Sequence, residues 1–435
     1  MNKTLTAVVS RITGSSLFRS AGVYTVTSMV NKGIPFLMLP ILTRYLTPAD
    51  YGIVTMFSVL LAWLGMFAGL GTLNGVSIRF FDREEIDFPG YIANCIFILI
   101  ASSLVLLAII WPMAEYISTI TKFPSSWVLS ALGVAVATFL TNLLTNIWQS
   151  AVKPFLCGLF QIGMTTLNLG LSLWFIVGLN MNWQGRLWGQ IITAASFALL
   201  AMVILARSGM FHWVVNKEYL QNALYIGVPM IPHSISGILM DSTDRLMITN
   251  MLGVADAGVY VVGVQIGMVI MMFTSSFNTA YFPWLFEKLR LNDQAMKRKI
   301  VLFTYGYDVI LLLAALSMAL VAPWLFSFFV GKNFSGGSSY VVWIALGYAF
   351  NGMYMMVTNY IFYAQKTYLL AWISFGTALL NLPLCYLLIR MNGAVGAAQA
   401  TMTANLVSFL LTWYLSARVH SMPWGLAALR ERNGV

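Results

Sequence analysis

The chain has 435 residues, 59% of them hydrophobic and only 9% charged, with a formal net charge of +10, and its mean hydropathy is +0.81. Water-soluble domains carry about 25% charged residues, so a soluble globule is excluded and lipid must solvate most of the surface. A membrane-crossing helix needs roughly 20 apolar residues, which leaves room for about a dozen spans and no soluble catalytic domain between them.

The N-terminus, Met1 to Ser20, lacks a compact apolar core and a small-residue cleavage site, so no cleaved signal peptide is expected there. Leu5, Val8, Val9, Ile12 and Leu17 can line one face of an interfacial helix with Lys3, Arg11 and Arg19 toward lipid phosphates; a disordered tail is the equal alternative. Apolar runs then predict twelve spans: 20–46, 52–74, 89–112, 127–148, 154–179, 187–207, 221–251, 257–283, 300–325, 339–364, 367–390 and 394–417. An even count puts both termini on one side. Seventeen of the 24 Lys and Arg residues fall in segments on that side and only Lys122, Arg186, Lys332 and Arg390 on the other, with Lys32, Arg44 and Arg245 inside or at the rim of spans. The positive-inside rule places both termini in the cytoplasm. The basic run Glu287–Lys299, between spans 8 and 9, reads as a topology anchor touching anionic lipid. Trp111, Trp127, Trp148, Trp183, Trp188, Trp284 and Trp324 fall near span ends, as interfacial tryptophans do. Cys95, Cys157 and Cys385 lie in separate apolar stretches and are expected as buried thiols without a disulfide framework.

The chain repeats itself. Thr43–Gly52 (TRYLTPADYG) and Thr249–Gly258 (TNMLGVADAG) share Thr, Leu, Ala, Asp and Gly in register, each at the end of the first span of six. The expected fold class is an all-α polytopic membrane protein of about twelve transmembrane helices, in two six-helix lobes related by an internal repeat, with a central cavity suited to alternating access. The expected division is an N-terminal segment 1–19, an N-terminal lobe 20–207, a cytoplasmic linker 208–220, a C-terminal lobe 221–417 and a cytoplasmic tail 418–435.

Charges at membrane depth cost at least about 2.5–3.5 kcal/mol each and so mark sites. Lys32 lies mid-span ahead of Pro35 and Pro40, and is expected either to face the cavity or to pair with an acid for folding. Arg44 at the rim of span 1 lines the cavity or snorkels. Arg79, after Asn74 and Gly75, gates cavity entry or anchors its helix. In span 7, Asp241 and Arg245 stand at i,i+4 and can pair along one face, whereas Asp244 projects elsewhere. That trio is either a self-contained ion pair or a substrate contact. Asp241 and Asp308 are the candidates for coupling to a proton or sodium ion, and Asp308, in span 9, is the best lone carboxylate. Lys32, Arg44 and Arg79 give the first half a cationic character, and no acid lies between Met1 and Ala49, so the expected substrate is anionic.

The sequence holds no GxxxxGK[ST] phosphate loop, no HExxH and no GxSxG elbow, and His212, His233 and His420 lack metal-ligand spacing. The only acidic cluster, Asp82, Glu84, Glu85 and Asp87, reads as a solvated loop, although a membrane glycosyl- or phosphotransferase would need paired carboxylates of that kind. The 25 methionines read as soft packing at helix contacts.

Ile34-Pro35-Phe36 through Leu39-Pro40-Ile41-Leu42-Thr43-Arg44-Tyr45-Leu46 with Asp50-Tyr51-Gly52, Asp244-Arg245 with Gly258-Val259-Tyr260, and Asn381 with Asn392-Gly393-Ala394-Val395-Gly396-Ala397-Ala398-Gln399-Ala400-Thr401 follow one another in order along nearly the whole chain. In these stretches the sequence resembles the Wzx-type oligosaccharide flippases of bacterial polysaccharide biosynthesis. Those belong to the superfamily that also holds the multidrug and toxin extruders. The resemblance implies a non-enzymatic flippase carrying undecaprenyl-diphosphate-linked oligosaccharide from the cytoplasmic to the periplasmic leaflet by alternating access, for a surface glycan such as O-antigen. It implies Arg44, Asp244 and Arg245 at the cavity, to which charge adds Lys32, with Lys32 and Arg245 attracting the diphosphate. It further implies no cofactor beyond a coupled proton or sodium ion. Its partners would be the lipid-linked glycan, the bilayer and other polysaccharide-assembly membrane proteins, with no nucleic acid, and the protein would act as a monomer. The sequence departs from the lipid II flippase branch, which has two further spans. A cation-coupled multidrug antiporter is the alternative within the superfamily, although such extruders present carboxylates to their substrates and the N-terminal half has none at membrane depth.

Overall fold

The computed structural model describes residues 38–425 together with Gly33 and Phe36. Every regular element among them is helical, as lipid requires, because only a helix or a closed barrel satisfies its backbone groups without water. After a helical run at 38–45 come α1 (Pro48–Phe67), α2 (Leu73–Arg79), α3 (Phe88–Thr121), α4 (Ser125–Ser150), α5 (Pro154–Leu173), α6 (Asn182–Arg207) and α7 (Lys217–Gly227). Then follow α8 (Ile231–Met251), α9 (Val254–Arg290), α10 (Gln294–Phe329), α11 (Ser338–Tyr363), α12 (Tyr368–Asn392) and α13 (Ala394–Val419). Among the described residues ten helices are long and apolar enough to cross a membrane, and α7 with α8 make an eleventh if read as one bent span. Most of the span expected at 20–46 lies outside the described residues. Side chains such as Leu320 (84% exposed) and Trp372 (73%) face outward, a cost in water that lipid removes.

Polar side chains set the helix starts. Asp87 accepts from the Gly90 amide at 3.1 Å to begin α3, Asn216 from the Glu218 amide at 2.8 Å to begin α7, and Asp293 from the Ala295 amide at 2.9 Å to begin α10. Each satisfies one of the amides that a helix N-terminus leaves open.

Two expected spans are broken. The span expected at 52–74 stops at Phe67 and restarts as α2, because Gly69, Leu70 and Gly71 all take positive φ (75°, 49° and 72°). The span expected at 221–251 breaks at a 3-10 turn, Val228–Met230, and the two pieces, Lys217–Met230 and Ser234–Met251, meet at 44°. Pro229 and Pro232 each remove a backbone donor there. The two breaks abut: a Cβ on Gly71 would lie 2.6 Å from the Gly227 carbonyl oxygen, and one on Gly227 would lie 2.4 Å from that of Leu70.

The chain divides into two compact units, one comprising the described residues up to Leu46 and Ile53–Ile238, the other Thr47–Gly52 and residues from Leu239 on. The division falls inside α8, and α7 packs on α2 and α3 of the first unit. The core of that unit gathers Val76, Tyr91, Ile92, Leu143, Ile147, Leu205 and Ala223. In the second unit α11 packs against α9, α10 and α13, and α12 against α13. One of its cores gathers Ile270, Leu311, Ala345, Ala349, Met353 and Phe409.

The repeated stretches begin α1 and α9, and within the second unit they press on each other. A Cβ on Gly52 would lie 1.9 Å from the Val254 carbonyl oxygen, and one on Gly258 would lie 2.0 Å from that of Pro48. In the repeat's register Gly52 matches Gly258 and Pro48 matches Val254. The first turn of α1 is closed by a capping box: the Asp50 carboxylate accepts from the Thr47 amide (3.0 Å) and hydroxyl (2.6 Å), and the Asp50 amide donates back to that hydroxyl at 3.2 Å.

Candidate functional site

In the second unit α8 carries Asp241, Asp244 and Arg245. Asp244 is 6% exposed, and both its oxygens are occupied. Oδ2 accepts from the Tyr260 hydroxyl of α9 at 2.6 Å and Oδ1 from the Arg245 backbone amide at 2.8 Å. The ion pair expected between Asp241 and Arg245 does not form. Ion pairs elsewhere in the described residues include Arg79–Asp82, Arg83–Glu84, His212–Asp87 and Lys288–Glu287. Asp241 sits on the exposed side of α8 while Arg245 is half-buried, so side chains one turn apart do not meet. The Arg245 Nε is buried without a hydrogen-bond partner. The guanidinium still acts electrostatically on Asp241, Asp244 and Tyr348 of α11. Asn381 lies on α12 one turn before the buried Cys385, 1% exposed, with neither its Oδ1 nor its Nδ2 partnered. A half-buried cation whose acidic neighbours are otherwise engaged or exposed is a ready counter-charge for an anion.

Arg79 belongs to the first unit and ends α2. Its Nη1 pairs with Asp82 at 2.9 Å, and its Nε donates to the Asn222 Oδ1 of α7 at 3.1 Å. The same oxygen accepts from the Tyr91 hydroxyl of α3 at 3.3 Å. Arg79 therefore ties α2, α3 and α7 together just beyond the abutting helix breaks. Beside those breaks lies an apolar cavity of about 590 Å³ lined by Phe67, Leu70, Ile98, Val105, Ile109 and Leu224. A second, of about 800 Å³, is lined by Phe81, Phe88 and Val152 with Arg83 and Lys153 at its rim.

Asp308 belongs to a different cluster of the second unit, on α10 among Tyr281, Tyr305, Tyr307 and Tyr360. Its Oδ1 is buried without a partner. Arg44 is exposed at the end of the helical run at 38–45, and Lys32 lies outside the described residues. Arg44 and Arg79 thus lie in the first unit, and Asp241, Asp244, Arg245 and Asp308 in the second, the first three on α8 and the last on α10.

Nothing in the hydropathy pattern warns of Arg186. Expected in a loop, it starts the second turn of α6 and donates to Asn168 and, at 2.7 Å, to Ser172 of α5. Gly189 lets the helices close: a Cβ there would lie 2.4 Å from the Ser172 hydroxyl. The π-helical turn Trp174–Gly178 that follows α5 packs against Gly185 of α6. Arg and Asn four or more residues from any charge give no periodic signal, and only their pairing in space reveals them.

A family model described as polysaccharide biosynthesis protein matches residues 17–288 of this chain. An Lsg locus protein of Haemophilus influenzae is 22% identical over 370 residues, which cover 82% of this chain and 87% of that protein. Among solved structures, lipid II flippase MurJ in an inward closed conformation matches with a TM-score of 0.70 at 15% identity, over 90% of this chain and 87% of that one. An inward-facing multidrug resistance transporter of the MATE family, in the MOP superfamily, matches with a TM-score of 0.68 at 14% identity, over 95% of this chain and all of that one (100%). Identities this low speak for the fold, and that fold is the all-helical, multi-pass one expected from the hydropathy.

Proposed function

The chain belongs to the polysaccharide biosynthesis protein family, and from that premise we propose that it flips undecaprenyl-diphosphate-linked oligosaccharide from the cytoplasmic to the periplasmic leaflet of the bacterial inner membrane. The observation that carries this reading is Arg245. Its Nε has no partner, and Asp244 beside it is held by Tyr260 and by the backbone. A guanidinium binds the oxygens of a diphosphate through paired N–H donors. Both oxygens of the neighbouring Asp244 carboxylate already have other hydrogen-bond partners, the Tyr260 hydroxyl and the Arg245 backbone amide. Lys32 adds a second positive charge in this reading. The polyprenyl chain stays in lipid, so the protein needs to shelter only the polar head while exposing it to one leaflet and then the other. Both termini lie in the cytoplasm, the protein acts as a monomer, and other polysaccharide-assembly membrane proteins supply and consume the glycan.

The test is a leaflet assay in a strain lacking the gene, with labelled lipid-linked oligosaccharide probed by a reagent confined to the periplasmic side. Accessible glycan should return with the intact protein, stay absent with Arg245→Ala at equal expression, and return in part with Arg245→Lys. Accessibility that never depends on the protein, in cells that gain or lose resistance to cationic dyes, would replace the flippase reading by a multidrug antiporter.

A further inference from the structure

Among the described residues Asn94, Asn359 and Asn381 are buried asparagines, and the first two are paired. Asn94 of α3 donates from Nδ2 to the Gly90 and Val214 carbonyls at 2.7 and 2.9 Å, and its Oδ1 accepts from the Asn216 amide at 3.0 Å. Asn359 of α11 donates to the Asn278 Oδ1 of α9 at 2.9 Å. Asn381 of α12 is 1% exposed and has no hydrogen-bond partner at either Oδ1 or Nδ2. Asn94 reaches back one turn to the Gly90 carbonyl, but the equivalent bond from Asn381 to the Thr377 carbonyl is not made.

The place of Asn381 in its helix makes that omission costly. Ile373, Thr377, Asn381, Cys385 and Ile389 follow at one-turn spacing and are all buried, whereas Leu379, Leu380, Tyr386 and Leu387 are exposed on the lipid side. Asn381 therefore points into the packed face of α12, where an amide without hydrogen bonds is strongly disfavoured. Pro383 lies two residues further on, inside the helix. It has no amide to offer the Leu379 carbonyl, so the ladder is interrupted there and the helix can bend. Beyond Pro383 the helix is held: a Cβ on Gly396 of α13 would lie 1.9 Å from the Leu388 carbonyl oxygen. A bend at Pro383 thus moves the part of α12 that carries Asn381. Cys385, one turn from Asn381, lies within electrostatic reach of Asp244 and Tyr260, which places this weak point of α12 beside the Arg245 site.

We propose that Asn381 is a positioning residue of the transport step: its carboxamide, unpaired in this conformation, gains hydrogen bonds when α12 bends at Pro383, and so favours departure from the conformation seen here. The inference rests on the transporter reading of the chain and adds to it a residue that touches no substrate. An apolar side chain of similar shape removes the burial penalty, and should hold the protein in this conformation. A residue needed only for packing has the opposite signature, because its replacement weakens the fold.

Cys385 supplies a readout that needs no glycan, so its failure leaves the flippase reading intact. Full-length protein in detergent is treated with a maleimide, and labelling of Cys385 is followed by peptide mass spectrometry. Cys95, also 0% exposed but in the first unit, reports global unfolding. Wild-type Cys385 should be labelled as α12 bends. Asn381→Leu should keep or raise the melting temperature and label Cys385 roughly tenfold more slowly, with Cys95 unchanged. In the leaflet assay its transport should slow in proportion. Labelling of Cys385 that is unchanged or faster, equal slowing of both thiols, a lowered melting temperature or an unimpaired transport rate would each overturn the proposal. So would a wild-type Cys385 that stays unlabelled until the protein is denatured. Should Asn381→Leu not fold, the smaller Asn381→Val repeats the test, and failure of both to fold would show that this conformation needs the carboxamide, which overturns it as well.

Discussion

Tyr260 of α9 donates to Asp244 of α8 at 2.6 Å in a fully buried bond, and this pairing sets the electrostatics around Arg245. Tyr260→Phe strands the Asp244 Oδ2 in the core. An unsatisfied buried acceptor of this kind costs about 1–3 kcal/mol, so we expect a lower melting temperature of purified protein. The freed carboxylate also becomes available to the guanidinium, so transport should fall further than stability alone explains. Equal losses in Tyr260→Phe and a destabilised control of matched melting temperature would show that the bond matters only to folding.

Arg79, Asn222 and Tyr91 share one acceptor oxygen. Arg79→Ala and Asn222→Ala should therefore be non-additive, with a coupling on the order of 0.5–1 kcal/mol, at the low end for groups in contact because the Arg79–Asp82 part of the network is a third or more exposed. A double-mutant cycle on thermal or denaturant unfolding measures it. Strict additivity would mean that the shared oxygen carries no coupling.

Gly71→Ala and Gly227→Ala strike the place where two helix breaks touch. Position 71 has φ +72° and a carbonyl oxygen 2.6 Å from its would-be Cβ, and position 227 has one at 2.4 Å. Left-handed backbone alone costs a substituted residue roughly 1–2 kcal/mol, and overpacking adds about 1–3 kcal/mol. Both variants should show lowered yield of folded protein on size exclusion after detergent extraction, with Gly71→Ala the worse. Gly209→Ala, also at positive φ (68°) but with open space around it, is the control and should suffer only the backbone cost.

His420, just after α13, stacks on Tyr360 with ring centroids 6.1 Å apart and gives this segment a pH dependence. Burial holds its pKa below the ordinary 6.5, and the Lys297 charge adds to that. Because the folded state disfavours the protonated ring, the stability of this contact is complete at neutral and alkaline pH. It declines as the pH falls through 6.5 toward the lowered value. Protease cleavage after α13 should accelerate on acidification in the wild type and stay flat in His420→Phe, which keeps the stacking on Tyr360. Acid-accelerated cleavage in both would assign the effect to another group.

Much of this was open to reading from the chain alone. The apolar runs locate the helices because lipid allows little else, and the two decapeptides predict that α1 and α9 begin alike. Charge at depth points to Arg79, Asp244 and Arg245. The breaks were less legible. Leu70 sits between two glycines in an otherwise apolar run, so nothing in its hydropathy warns that three successive residues turn left-handed. The spacing of Asp241 and Arg245 permits an ion pair that their different exposure prevents. Nor does periodicity tell a tyrosine bonded to a carboxylate, as Tyr260 is, from tyrosines set among other hydroxyls, as Tyr281 and Tyr360 are. Those outcomes depend on helices far apart in sequence.

The mutual contact of Gly52 with Val254 and of Gly258 with Pro48 has the form of an isologous interface, in which residue i of one copy meets residue j of the other and the reverse. Two identical polypeptides associating about a two-fold axis produce such a contact without further specification. Here both halves are written in one chain, and the two glycines stand at matching places of the two decapeptides. The stretches differ around them: Pro48 holds its turn with a capping box, whereas Val254 follows Gly253 at φ 127° and has no side-chain cap. What they have in common is the pair of positions where one helix backbone rests on the other.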